Sequence, residues 1–531
     1  MPTDSVPAPS TKAVTLYDTT LRDGTQGEGI NLSVLDKLRI AEKLDSFGMD
    51  YIEGGWPGSN PKDVEFFEQA RTKKWLHAKL AAFGSTRRAG LNAAEDTQVR
   101  LLLDAGTPVV TIVGKSWRLH VLEILKVTES QNLKMISDTC ALLRENGREV
   151  IYDAEHFFDG YKDSPEHAVS TIRAAAEGGA HMVVLCDTNG GTMPEEVYEI
   201  VKDVTSRLGV PVGIHTHDDC GLGVANALAA VRAGARQVQG TINGYGERTG
   251  NCNMTTIIPN LQLKMQLNVA RELHRLRELS LFVDDVANCP HNIRAPYVGT
   301  ASFAHKGGLH VNAVQKLARS YEHIDPGLVG NRQTILISEL SGQSNILIKA
   351  EEMGFKLQKG GDEVRNILER VKQLEHEGYE FEAAEASLDL LIRRVLGGYV
   401  PLFELQEYHC DFRRDDRLSF QVCEATVKIT VSGETRHEVA EARGPVESLD
   451  KALRKALRPF FPRIDEIRLE DFKVRIIDGA DGTSAKTRVL IVSGDKAGNT
   501  WATVGCSHNV IQASWLALVD SLEYGLMPKG R

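Results

Sequence analysis

At 531 residues the chain is too long for one compact core, so two or three domains are expected. Its 42% hydrophobic and 25% charged residues, with a mean hydropathy of −0.23, are those of a folded globular protein and exclude a collagenous, disordered or membrane-embedded class. A net charge of −10 and a pI near 5.9 argue against a nucleic-acid or anionic-membrane partner, but not against a small anionic substrate held by a local arginine or metal.

Residues 1–12 hold Pro, Ser and Thr without an apolar or Arg-rich amphipathic segment, and are expected to form a short disordered tail and not a targeting signal. The eight cysteines are scattered and form no CxxC pair, which fits reduced thiols and a cytoplasmic location. No apolar run approaches the ~18–20 residues of a membrane span.

Short β-rich runs then alternate with helical periodicity. The runs are Val14–Asp18, Tyr51–Glu53, Leu80–Ser85, Val109–Gly114, Glu149–Ala154, Met182–Asp187, Val212–His215 and Gln237–Ile242. Between the first two, Leu35, Leu38, Ile40, Leu44 and Phe47 recur at helical spacing, and Ser33 with Asp36 reads as an N-cap. Gly48, Gly106, Gly147, Gly179, Gly209 and Gly234 fall where helices would end. An open doubly wound sheet would want a glycine-rich phosphate turn after the first strand. Here that strand runs into Asp18-Thr-Thr-Leu-Arg-Asp-Gly, so the pattern predicts a closed (β/α)₈ barrel over 12–289.

Barrel chemistry sits at the C-terminal strand ends, and the polar residues gather there. His215-Thr216-His217 places two imidazoles on one face of a strand end. Two half-buried histidines bonded to backbone would be the bland alternative. Asp23, from strand one of a closed barrel, tips the reading toward a two-His, one-carboxylate metal site, with the Asn251 amide oxygen as a weaker fourth ligand. Arg22, beside Asp23 in an acidic protein, suits the carboxylate and carbonyl oxygens of a substrate better than a surface ion pair. Asp18, Glu53 and Asp187 are assigned to the supporting polar network.

Five stretches carry a resemblance: Leu21-Arg-Asp-Gly-Thr-Gln26, His215-Thr-His217, Gly246-Glu-Arg-Thr-Gly-Asn251, Ala304-His-Lys-Gly-Gly-Leu-His310 and Ser341-Gly-Gln-Ser-Asn345. Together they resemble the isopropylmalate, homocitrate and citramalate synthase family, from about Leu16 to near the C-terminus. The wording around Trp56, Gly482-Thr483 and Ala513-Ser-Trp515 is closest to the citramalate branch. One departure is Thr25, where many relatives carry Glu; it is expected to matter little because Gln26 is kept.

The resemblance implies a Claisen-type condensation of acetyl-CoA with an α-keto acid, pyruvate in this branch, assisted by a divalent metal (Zn, Mn, Mg or Co). It implies Arg22, Glu155, His310 and Tyr321 as catalytic residues and Gln26, Tyr152 and Thr188 beside Arg22 as substrate contacts. Phe83, Ile112, Tyr152 and Phe157 are candidate walls for the keto acid pocket.

After about Pro290 the βα pattern stops. Residues 290–396 read as a mostly helical linker, whose charged run 363–377 is taken as a solvated helix face. In the family this linker lies over the partner's barrel, which implies a homodimer. Residues 397–531 read as a C-terminal α+β domain with an internal repeat: Thr426–Gly433 recurs as Thr487–Gly494, and the same spacing takes Gly444 to Gly505, Ala452 to Ala513 and Ala456 to Ala517. No catalytic constellation lies there. The bland reading is dimerisation; the family reading adds an amino-acid effector, isoleucine or leucine by branch, with Ser507 and Asn509 as contacts.

Four rival functions stay on the page. Isopropylmalate or homocitrate synthases share the chemistry with another keto acid. A lyase of the same barrel would lack the C-terminal repeat. A non-enzymatic sensor would be expected to lose Arg22, Asp23, Glu155 or the HxH pair, and a non-haem iron oxygenase would leave Arg22 and the linker histidines unexplained.

Overall fold

The apolar runs of the first half fold into eight parallel strands: β1 (Thr15–Asp18), β2 (Tyr51–Gly55), β3 (Lys79–Ser85), β4 (Val109–Lys115), β5 (Glu149–Glu155), β6 (Met182–Asp187), β7 (Val212–Thr216) and β8 (Gln237–Gly240). They pair in chain order and β8 closes onto β1. The computed structural model describes residues 14–397, 399–413, 422–477 and 479–527; the tail expected at 1–12 lies outside them.

Strand side chains alternate between two faces. One set, including Tyr17, Ala81, Val109, Ile151 and Val184, fills the barrel interior. The other, including Leu16, Ile52, Ile112, Tyr152 and Val238, packs outward in the large core that also contains the helix residues Leu44, Phe66, Phe157 and Ile172. With both faces covered, the strands read as continuous apolar runs.

The helix Val34–Phe47 starts on a complete capping box, in which Ser33 Oγ accepts from Asp36 N and the Asp36 carboxylate accepts from Ser33 N. It ends on Gly48, whose φ of 96° is open to glycine at no steric cost. Gly106, Gly147, Gly179 and Gly234 also have positive φ. Gly209 does not follow suit, because the helix Pro194–Arg207 leaves through an extended Leu208. β8 is two residues shorter than expected. Thr241 N turns to Cys252 O (3.1 Å), and the chain leaves the sheet before Ile242.

Chain contacts divide at Phe303/Ala304, not at 289/290, and Ile324–Arg332 return to the barrel unit. The second unit holds linker and C-terminal domain together. Its helical part, with helices Gln343–Glu352, Asp362–His376 and Glu385–Leu396, packs Ile346, Val364, Ile367, Val371 and Leu391 into one cluster. Within the charged run of residues 363–377, Glu363, Arg365, Glu369, Arg370 and Lys372 form the exposed face of the middle helix.

The rest is two three-stranded antiparallel sheets, Glu404–Arg413, Val422–Val431, Glu434–Ala442 and Arg468–Ile476, Thr487–Gly494, Thr500–Ser507. Each is followed by a helix, Pro445–Leu457 or Val510–Leu526, and the two copies share a core. The linker helix Glu385–Leu396 belongs to the same body. Ser387 Oγ donates to Asp520 (2.8 Å) and accepts from Val504 N (3.0 Å), and Arg394 donates to Asp520 (2.7 Å).

The repeat is real, but its register differs from the one the matching letters suggest. Val427 and Ile429 face the core, and so do Val489 and Ile491, so the strands correspond at an even spacing, and the matching bulges at Leu405/Glu407 and Leu469/Asp471 place them three residues further along than Thr426 and Thr487 imply. A slip of one would turn every side chain to the wrong face. The second hairpin turn is also longer: Val431 pairs with Glu434, but Gly494 with Thr500. Gly444 caps the first helix, whereas Gly505 is still in a strand and Asn509 caps the second. Ala452 and Ala513 nonetheless share a buried face, because a shift of about four residues is close to one helical turn. Ile491→Ala is expected to cost about 2–5 kcal/mol and half-buried Leu490→Ala less than half of that, read from the thermal transitions of the purified variants.

Candidate active site

The loop after β1 is shaped by Asp18, whose carboxylate accepts from Thr20 N (3.0 Å) and Thr20 Oγ1 (2.9 Å). Burial pushes the Asp18 carboxyl up to about 7. Arg22 N and Asp23 N both donate to Thr19 O, and this turn aims both side chains across the barrel mouth. On β7, His215 points inward, and two residues later His217 does the same.

Asp23 Oδ2 lies 3.3 Å from His215 Nε2, which lies 3.3 Å from His217 Nε2, and all three residues are buried. Two donors on one metal at ~2.0–2.2 Å stand roughly 3.0–3.4 Å apart. Asp23, Glu53 and Asp153 lie near the Arg22 guanidinium and the His215 ring, and a divalent cation would add a further counter-charge. The donor set therefore fits a divalent metal.

The electrostatics agree with the geometry. Burial raises the Asp23 carboxyl, but Arg22 and then His215 outweigh it and hold it well below the usual range. Burial and then the His215 charge push His217 down to about 3, so its ring is neutral near pH 7 and offers a lone pair. Asn251 Nδ2 donates to Asp23 Oδ2 (2.6 Å), while its Oδ1 is buried without a partner. The amide thus turns its nitrogen toward Asp23, and a half-turn about its last bond would exchange the two ends.

Arg22 is held from three sides. Its Nε donates to Glu53 (2.6 Å), its Nη1 to Asp23 (3.1 Å), and its guanidinium lies 3.7 Å from the centre of the Phe83 ring. Tyr17 donates to the other Glu53 oxygen (2.7 Å) and contacts Thr111 Oγ1 (2.6 Å). Glu53 thus serves the network, as expected. Asp187 does likewise, accepting from Thr192 (2.8 Å) and Asn226 (3.3 Å).

These groups open onto a cavity of about 500 Å³ that also reaches Gln26, Trp56, Phe83, Glu155 and Thr188. Glu155 is ion-paired with Lys115. Thr188 Oγ1 accepts from His156 N (2.9 Å).

Tyr152 is not in the cleft. It neighbours Asp153 on β5, so period-two alternation turns its ring outward into the helix-facing core, fully buried. Ile112 and Phe157 pack in the same core, so of the four candidate wall residues only Phe83 lines the cleft, with Val113 on the neighbouring strand β4. His310 and Tyr321 belong to the second unit, where they stack at 4.3 Å with both side chains exposed. Asn509 accepts from Ile511 N (2.8 Å), and Ser507 Oγ accepts from Asn509 N (3.1 Å), so both effector candidates take part in a helix cap.

A family model described as HMGL-like matches residues 13–283, one described as homocitrate synthase post-HMGL domain-like matches 297–379, and the LeuA allosteric (dimerisation) domain matches 382–526. The chain is 54% identical to an (R)-citramalate synthase of Aquifex aeolicus over 97% of this chain and 98% of that one. It is 50% identical to one of Geobacter sulfurreducens over 97% of each. The chain belongs to the (R)-citramalate synthase family. A 2-isopropylmalate synthase of Methanocaldococcus jannaschii matches at 29% over 96% of this chain and 94% of that one.

Beyond the motifs that mark the family, sequence reading missed Lys115 and Gln239. Gln239 Oε1 is 2.9 Å from His215 Nδ1, and its Nε2 donates to Asp153 (3.1 Å). The available signal was Gln237 and Gln239 two apart in a strand otherwise fully buried. Because the Tyr152 hydroxyl is buried beside Ser116 and Thr171 and away from the cleft, Tyr152→Phe is expected to leave turnover within about twofold and to change stability by no more than about 1.5 kcal/mol. Steady-state kinetics and a melting curve check both.

Proposed function

We propose that the protein condenses acetyl-CoA with pyruvate to give (R)-citramalate and CoA, within isoleucine biosynthesis. The observation that carries the reading is the convergence of Arg22, Asp23, His215 and His217 on one cleft in a chain so similar to (R)-citramalate synthases along its whole length.

A divalent ion held by Asp23, His215 and His217, with Asn251 beside it, would supply Lewis-acid polarisation of the keto oxygen. Arg22, already fixed by Glu53 and Phe83, binds the keto acid's oxygens and meets the negative charge that develops as the new C–C bond forms. Thr188 and Gln26 hold the carboxylate. Glu155, supported by His310 and Tyr321, moves the proton from the acetyl methyl, and the thioester is then hydrolysed.

His310 and Tyr321 reach the cleft from the linker of a partner subunit in a homodimer. Their exposure, with that of Leu309 (84%) and Leu317 (50%), supports a surface made to be covered. The C-terminal repeat is the allosteric domain, with isoleucine as effector near Ser507 and Asn509. All eight cysteines are free thiols and no described helix is long and apolar enough to cross a membrane, which agrees with a cytoplasmic enzyme.

Thiol release from acetyl-CoA, with pyruvate, 2-oxoisovalerate and 2-oxoglutarate offered separately, tests the reading. A kcat/KM for either larger acid equal to that for pyruvate would defeat the pyruvate assignment. Asp23→Asn and His217→Ala are each expected to lower kcat by at least about a hundredfold and to lower bound metal, with the fold intact by circular dichroism. Phe83→Ala is expected to raise the 2-oxoisovalerate to pyruvate ratio of kcat/KM by at least about tenfold, since removing bulk is what admits the longer chain.

A further inference from the structure

The metal ligand His215 has a second nitrogen, and what that nitrogen meets decides which form of the ring is present. We propose that Asp153 and Gln239 are positioning residues, a relay across the barrel interior that fixes the His215 tautomer with Nε2 free for the metal; this rests on the metal-site reading above. His215 Nδ1 is 2.9 Å from Gln239 Oε1, and Gln239 Nε2 donates to Asp153 Oδ1 at 3.1 Å.

Each step constrains the next. In its ionised form the Asp153 carboxyl only accepts, and so takes the NH₂ end of the Gln239 amide. The oxygen end is left to His215, and since it too only accepts, Nδ1 must carry the ring proton. Nε2 then keeps its lone pair, and it is this atom that lies 3.3 Å from both Asp23 Oδ2 and His217 Nε2. A reversed amide would donate to Nδ1 and force the proton onto Nε2, the tautomer that cannot bind a cation. Asp153 therefore sets the direction of the whole chain of bonds.

Burial makes the relay hard to replace. Gln239 is fully buried, Asp153 3% exposed and His215 5% exposed, so bulk water does not compete for these bonds. His215 and Gln239 are register partners on β7 and β8. His217 lacks this support, because its Nδ1 is buried without a partner. An amide at a fully buried strand position costs more than an aliphatic side chain unless both its ends are bonded. Here they are, and the bonds lead to a metal ligand.

The test uses the full-length protein stripped of metal and titrated with Mn²⁺ or Co²⁺ by equilibrium dialysis. Gln239→Met keeps the volume and removes both hydrogen bonds; it is expected to weaken metal binding by about 10–100-fold. The double exchange Asp153→Asn with Gln239→Glu keeps the net charge and rebuilds the chain. The new carboxamide at 153 donates to the new carboxylate at 239, whose other oxygen accepts from His215 Nδ1. It is expected to bind metal within about threefold of wild type, and to restore the visible spectrum of the Co²⁺ form. Wild-type affinity in Gln239→Met, or a double exchange as weak as that variant, overturns the relay. Should Gln239→Met fail to fold, the double exchange decides alone, a loss of about tenfold or more counting against the proposal. His217→Ala separates the two readings: if it binds metal like wild type, the metal site itself is wrong, whereas weakened His217→Ala with unchanged Gln239→Met removes only the relay.

Discussion

A buried arginine between two carboxylates organises this barrel. Arg22 bridges Asp23, which clusters with His215 and His217, and Glu53, which belongs to the polar interior through Tyr17 and Thr111. Taking three charges out of water is expensive, and the cost is met only when every lone pair and proton finds a partner. Phe83 covers the guanidinium at 3.7 Å from its ring centre, and Asp18 and Thr20 tie down the loop after β1. A guanidinium held this way is fixed in place before any ligand arrives.

Much of this was legible from residue order. Strand ends and helix starts follow from apolar periodicity, the Ser33 cap and the terminal glycines, and the barrel follows from eight such units. Asp23, His215 and His217 were readable because strand alternation and barrel closure place them on one rim. Tyr152 shows where the reading fails. Its neighbours Asp153 and Glu155 are the inward pair of β5, and parity alone would have sent Tyr152 outward. A buried apolar strand hides its parity, since both faces carry hydrophobic side chains. Only the scattered polar residues reveal which positions face in, and Gln237 and Gln239 on β8 are as informative as the histidines.

The C-terminal repeat failed differently. Thr, Ser and Gly at matching places made the strands align by eye, yet the alternation of Val427 and Ile429 with Val489 and Ile491 fixes another register. Hydrophobic faces are what folding selects, and identical letters on the outer face carry little weight against them. The helices concealed the slip, because moving about one turn along a helix returns to the same face.

The linker helix is tied to the C-terminal domain by its side chains, with consequences for regulation. Ser387 and Arg394 of the linker helix are bonded to Asp520 on the last helix, and Val504 of the last strand is bonded to Ser387. Lys306, four residues before His310, pairs with Glu382 at 2.9 Å, just ahead of that same linker helix. The proposed regulatory sheets and the proposed catalytic linker histidine therefore belong to one packed unit. Packed elements of this kind shift as units or not at all, because close-packed interiors transmit displacement instead of absorbing it. An effector that altered the sheet pairing would reach His310 through the linker helix, with no change needed in the barrel that holds Asp23, His215 and His217.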